Sequence, residues 1–145
     1  MISQAVTANL SLGASILLRP LFHSRVRAGY PSPADDDVDE RLDLNRHIFR
    51  DPDATMMFWM RGGGFEDDGV FDGDLLIADT SLVPREGSLV VALVGQEQVV
   101  KKVARRGGVL YLVDGSGPSE MIEMNDRPDV KVLAVVNFTI HTFPD

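Results

Sequence analysis

From Ala54 onward the sequence breaks into short apolar runs, each closed by a turn signal, and that spacing restricts the fold more than any other feature. The runs are Met56 to Met60, Leu75 to Ala78, Ser88 to Val94, Gln98 to Val103, Val109 to Val113 and Val130 to Thr142, rich in Val and Leu. Between them stand Asp72-Gly73-Asp74, Pro84-Arg85-Glu86-Gly87, Gly95-Gln96, Arg106-Gly107-Gly108 and the segment Asp114 to Pro118. β-branched and large apolar residues favour a pleated, half-buried surface, while Gly, Asp and Pro punctuate it. No βαβ rhythm and no repeat interrupts the pattern. The expected fold is mainly β, an antiparallel β-sandwich or partly open barrel. At 145 residues the chain is one domain's worth of protein. A chain of this size buries roughly 70% of its unfolded surface and needs no disulfide or metal staple.

The first third reads differently. Pro20, Pro31 and Pro33 punctuate it, and Asp35-Asp36-Asp37 is followed by Asp39 and Glu40. Frequent prolines and like charges work against a packed core, so residues 1–33 are expected to be a flexible, extended N-terminal arm and 34–145 the β domain. Ala34 to Arg50 is expected to hold a short helix, with Val38, Leu42 and Leu44 facing inward and the acids near its N-terminus.

Composition removes several function classes. A net charge of −8, with basic residues scattered apart from Lys101, Lys102, Arg105 and Arg106, is the wrong balance for sequence-specific DNA binding. Zero cysteines exclude a disulfide framework, a thiolate nucleophile and zinc sites built on Cys. No run reaches the ~18 apolar residues of a membrane span. The apolar opening, Met1 to Leu18, has no Lys or Arg before Arg19 and so lacks the charged start of a signal peptide. A cytoplasmic protein whose partners are other proteins is expected.

Four local features invite chemistry. Arg61-Gly62-Gly63-Gly64 gives the backbone access to positive φ, but without Gly-Lys-Ser/Thr and a following helix it reads as a turn before a phosphate loop. Glu66, Asp67, Asp68, Asp72 and Asp74 lack calcium-loop spacing, and solvated turn acids are the expected reading over a metal site. His23, His47 and His141 show no paired spacing and are expected on the surface or rim; a Ser-His-Asp triad has no support. Lys101 and Lys102 sit within an apolar strand, between Val99-Val100 and Val103. Alternation points one of them inward, where burial can make a lysine a general base, unless the strand is an edge protected by lysines.

Taken together, the segments resemble the LexA/UmuD family of self-cleaving SOS proteins. Phe22 to Asn45, with Ala28-Gly29, Pro31-Ser32-Pro33 and Leu42-Asp43-Leu44-Asn45, is similar to the family's cleavage-site arm and its sequel. Asp72 to Asp79 is similar to its Asp-Gly-Asp strand, Glu86 to Val103 to the strand pair carrying the catalytic lysine, and Val135-Val136 to its closing strand. The pieces arrive in order from Leu21 onward.

The resemblance implies a Ser-Lys dyad that cuts the chain's own arm at Ala-Gly or Cys-Gly, the lysine deprotonating a serine that attacks the peptide carbonyl. It puts Lys101 at the general-base position and Ala28-Gly29 at the scissile bond, with no cofactor and no metal. The family's Ser-Gly-Asp-Ser-Met block is replaced by Arg61-Gly62-Gly63-Gly64-Phe65, and Gly64 falls where the nucleophile belongs. Loss of such a nucleophile costs on the order of 10⁶ in kcat.

The first expectation is therefore a catalytically silent accessory subunit of SOS-induced, error-prone translesion synthesis. The resemblance implies a homodimer; a heterodimer with an active paralogue that cuts Ala28-Gly29 in trans is the other assembly open to it, since a scissile bond needs no serine of its own. It further implies a Y-family, UmuC-like DNA polymerase and the RecA filament as partners. Two other readings stay open: an active self-processing peptidase using a displaced serine such as Ser81 or Ser88, and a LexA-like regulator. The last would need a helix-turn-helix domain that twenty-odd residues cannot supply.

Overall fold

The computed structural model describes residues 16–22, 28–29, 38–115 and 120–144. The chain divides after Phe49 into two units. In the first, strand β1 (Leu18–Phe22) pairs antiparallel with β2 (Val38–Asp43), from Leu18 opposite Asp43 to Phe22 opposite Val38. Pro20, with no N–H to give a ladder, is tolerated because a two-stranded ribbon has an open edge on each strand. Helix α1 is only Leu44–Ile48. It starts where the Asp43 carboxylate accepts the Asn45 N–H at 3.1 Å, and Arg46 and His47 occupy its last turn, where the dipole favours cations.

Of the helix expected within Ala34 to Arg50, only Leu44–Ile48 is helical among the described residues, and residues 34–37 lie outside them. Val38 to Asp43 is strand, because a partner strand 20 residues upstream competes for the same backbone groups. Leu44 is exposed, and Ile48 is the buried residue of the helix.

The second unit opens with a 3-10 turn at Pro52–Ala54, followed by β3 (Thr55–Trp59) and a second 3-10 turn at Glu66–Asp68. Then come β4 (Leu75–Asp79), β5 (Leu89–Val94), β6 (Glu97–Arg106), β7 (Val109–Val113), β8 (Ile122–Glu123) and β9 (Val130–Ile140). They form one antiparallel seven-stranded sheet in the order β3-β4-β9-β5-β6-β7-β8, which does not close. The fold is mainly β, antiparallel and not a closed barrel, as the spacing of the apolar runs implies.

Turn chemistry sets the register. Arg106 pairs with Val109, leaving Gly107 and Gly108 as a two-residue loop with φ of +57° and +78°. Two successive positive values are the geometry that matches the twist of the flanking strands. The returning strand β9 carries an extra residue at Leu133 and another at Asn137, each opposite a register shift. Such bulges bend a long central strand.

The sheet buries both faces. Val90, Ala92, Val103, Leu112, Ile122, Val130 and Val135 form one cluster, and Met60, Phe65, Val70 and Leu76 form the other. Adjacent residues divide between them: Val99 packs on the first and Val100 on the second, while Val135 and Val136 split likewise. That is the period-2 alternation of a strand used on two sides.

Candidate functional site

The Arg61–Phe65 segment links β3 to the 3-10 turn and is pinned along its length. Met60 N–H donates to the Asp74 carbonyl and Gly73 N–H to the Met60 carbonyl, both at 2.8 Å. The Gly62 N–H donates to the Asp72 carboxylate at 2.7 Å, and the Gly64 N–H to Glu66 Oε2 at 2.8 Å. Phe65 then buries its ring and fastens the loop to the core cluster of Met60, Val70 and Leu76. Between these anchors Gly64 takes φ of +110°, a region that L side chains rarely enter.

Strand β6 supplies the lysines. It lies between β5 and β7, so the edge-strand reading of Lys101-Lys102 is wrong. Lys101 stands opposite fully buried Val90, and its side chain is 15% exposed. Its Nζ donates to Asp114 Oδ1 at 2.5 Å. Lys102, 36% exposed, pairs instead with Asp68 Oδ1 at 2.7 Å. Alternation thus sends the two amines to different carboxylates.

Asp114 and Gly115 follow β7 directly and connect the two halves of the site. Asp114 holds the Lys101 amine, and Gly115 packs its backbone on the glycine loop. A Cβ on Gly115 would collide with the Gly64 carbonyl oxygen and stand 2.7 Å from its carbon. A groove of about 330 Å³ opens beside this point, its walls including Trp59, Met60, Arg61, Val99, Lys101 and Asp114.

Other expectations fare variously. Ala28 and Gly29 are exposed, and Gly29 has φ of +103°. They belong to the first unit, while Gly64 and Lys101 belong to the second. Residues 23–27 and 30–37, with His23 and Pro31 to Asp37, lie outside the described residues. Ser81 Oγ donates to Asp79 Oδ1 at 2.5 Å, and Ser88 Oγ accepts the Arg85 N–H at 3.0 Å. Among the described residues, no group of three or more His, Asp or Glu side chains is placed to hold a metal ion.

The reading of the turn acids as solvated needs correction for Asp74. It is 1% exposed and accepts from the Phe71 N–H at 2.9 Å, Thr139 Oγ1 at 3.2 Å and His141 Nδ1 at 2.5 Å. His141 lies between the rings of Phe71 and Phe143, at 5.0 and 5.1 Å. Sequence reasoning missed this pair because its members are 67 residues apart. Only the position of His141 just past β9, on a strand that pairs with β4, hinted at it.

The family profile "Peptidase S24-like" matches residues 20–137, which is most of the chain. The chain belongs to the Peptidase S24-like family. Its S24-like match takes in the arm, the glycine loop and the lysine strand. The chain is similar to Protein ImpA of Salmonella typhimurium, 33% identical over 129 residues that cover 88% of this chain and 81% of that protein. It resembles Protein SamA of Salmonella typhimurium at 32% over 123 residues, 84% of each chain. A LexA repressor from Pseudomonas chlororaphis is 36% identical over 101 residues, covering 70% of this S24-like chain and 50% of the repressor. Among the described residues, no helix is long and apolar enough to cross a membrane.

Proposed function

We propose that this S24-like chain is a UmuD-like accessory and regulatory subunit of SOS-induced, error-prone translesion synthesis that does not cleave itself. What carries the reading is Gly64: the family resemblance puts it at the nucleophile position, where it offers no oxygen, and puts Lys101 at the general-base position. The relatives ImpA, MucA and SamA support the UmuD-like half of it: Protein MucA of Escherichia coli is 38% identical over 87 residues, 60% of each chain. In this reading the protein is cytoplasmic and acts as a homodimer or as a heterodimer with an active paralogue. It engages a Y-family, UmuC-like polymerase and the RecA filament. A paralogue cuts Ala28-Gly29 in trans, since a scissile bond needs no serine of its own. The test is incubation of purified protein with RecA, single-stranded DNA and nucleotide, alone and then with an active paralogue. A fragment beginning at Gly29 is expected only in the second case.

The displaced-serine reading draws less support. The Ser81 hydroxyl donates to the Asp79 carboxylate, and the Ser88 hydroxyl oxygen accepts the Arg85 N–H. A serine-directed fluorophosphonate adduct that disappears in Lys101→Ala would restore it.

A further inference from the structure

We propose that Asp114 and Glu66 lock the vacated centre. Asp114 holds the Lys101 amine in an ion pair, and Glu66 takes the backbone N–H of Gly64. A serine returned to position 64 would then find neither a free base nor a free amide donor. This rests on the silent reading above and goes beyond it, because silence then depends on two carboxylates as well as on a missing hydroxyl.

Acyl transfer by a serine and a lysine needs two things from the protein. The hydroxyl proton must pass to a lone pair on the lysine nitrogen as oxygen bonds to the carbonyl carbon. The oxyanion so formed must meet preorganised donors, typically backbone N–H groups beside the nucleophile. Here the amine lies 2.5 Å from Asp114 Oδ1, and as an ammonium in that ion pair it has no lone pair to offer. The N–H at position 64 already donates to Glu66 Oε2 at 2.8 Å. A carboxylate in that place also repels the negative charge that the reaction would build.

The loops make the arrangement self-consistent. Gly115 lies against the Gly64 carbonyl, where a Cβ would collide, so the segment that brings Asp114 to Lys101 also seats the glycine loop. Gly64 at φ of +110° lets its N–H reach back to Glu66 two residues on. Asp114 is a positioning residue for Lys101.

Two measurements test the proposal. In reductive methylation with ¹³C-formaldehyde, read by NMR in the intact protein, Asp114→Asn should speed labelling of Lys101 several-fold. Lys131 serves as the internal reference. An unchanged rate would overturn the proposal, and this result does not depend on whether the wild type cleaves. Second, Gly64→Ser alone should give no fragment beginning at Gly29, whereas G64S/D114N/E66A should give one that Lys101→Ala abolishes. Equal cleavage by the single and triple variants would contradict the lock. So would a triple variant that folds by circular dichroism and stays intact. A fragment from the unmodified protein would instead sink the silent reading.

Discussion

The carboxylate of Asp74, buried where β4 begins, accepts a hydrogen bond from Nδ1 of His141 just beyond the end of β9. With Thr139 and the Phe71 N–H, the contact ties the β3–β4 turn to the last strand of the second unit. Asp74 has no place in the Ser-Lys scheme, and its role in this structure is architectural.

Removing it is expected to be costly. Asp74→Ala leaves the Phe71 N–H and the Thr139 hydroxyl without their acceptor, a loss of about 1–3 kcal/mol. Urea unfolding monitored through Trp59 measures it, and a midpoint equal to that of wild type would refute the assignment.

Acid should erode the same contribution. Burial pushes the Asp74 carboxyl up, but the Phe71 N–H, the His141 ring and Thr139 together outweigh it and hold the group below its ordinary 3.8. Asp79 is held below 3.8 chiefly by the Ser81 hydroxyl, then by the Ser81 N–H, against burial. A depressed folded value means stability that is present above 3.8 and lost as pH falls through that folded value. Unfolding free energy should therefore drop below about pH 4, less steeply in Asp74→Asn than in wild type. Parallel slopes would remove Asp74 from the account.

Any side chain at position 64 should cost stability. At φ of +110° an added Cβ costs on the order of 1–3 kcal/mol, so Gly64→Ala should lower the thermal midpoint although no catalytic atom is lost. A neutral effect would show that the loop relaxes to another conformation.

Lys102 should matter far less to stability than a core position. Lys102→Ala gives up a partly exposed ion pair with Asp68 and should change stability by about 1 kcal/mol or less. Leu112→Ala, at the fully buried centre of one core cluster, should cost about 2–5 kcal/mol. A larger loss at Lys102 than at Leu112 would invert the packing argument.

Much of the second unit was legible because its signals are local. Gly107-Gly108 and Gly95-Gln96 specify hairpins by their own backbone needs, and the Val-rich runs between them alternate with the strand period. The two-residue strand β8 carries too few residues for any period to show. The β2 segment was misread as helix because its partner, β1, lies 20 residues earlier in the chain. At the site, the adjacent lysines announced that one would turn inward. Their distinct partners, Asp114 after β7 and Asp68 after the glycine loop, depend on how β6 and its neighbours are stacked. Asp74 looked like any turn acid until β9 brought His141 to it.

Intact-mass analysis of the purified protein through a prolonged incubation at alkaline pH, with and without RecA, single-stranded DNA and nucleotide, tests the silent centre most directly. The account predicts that a single full-length species persists in both. A product beginning at Gly29 from homogeneous material, formed at a rate independent of protein concentration, would contradict it.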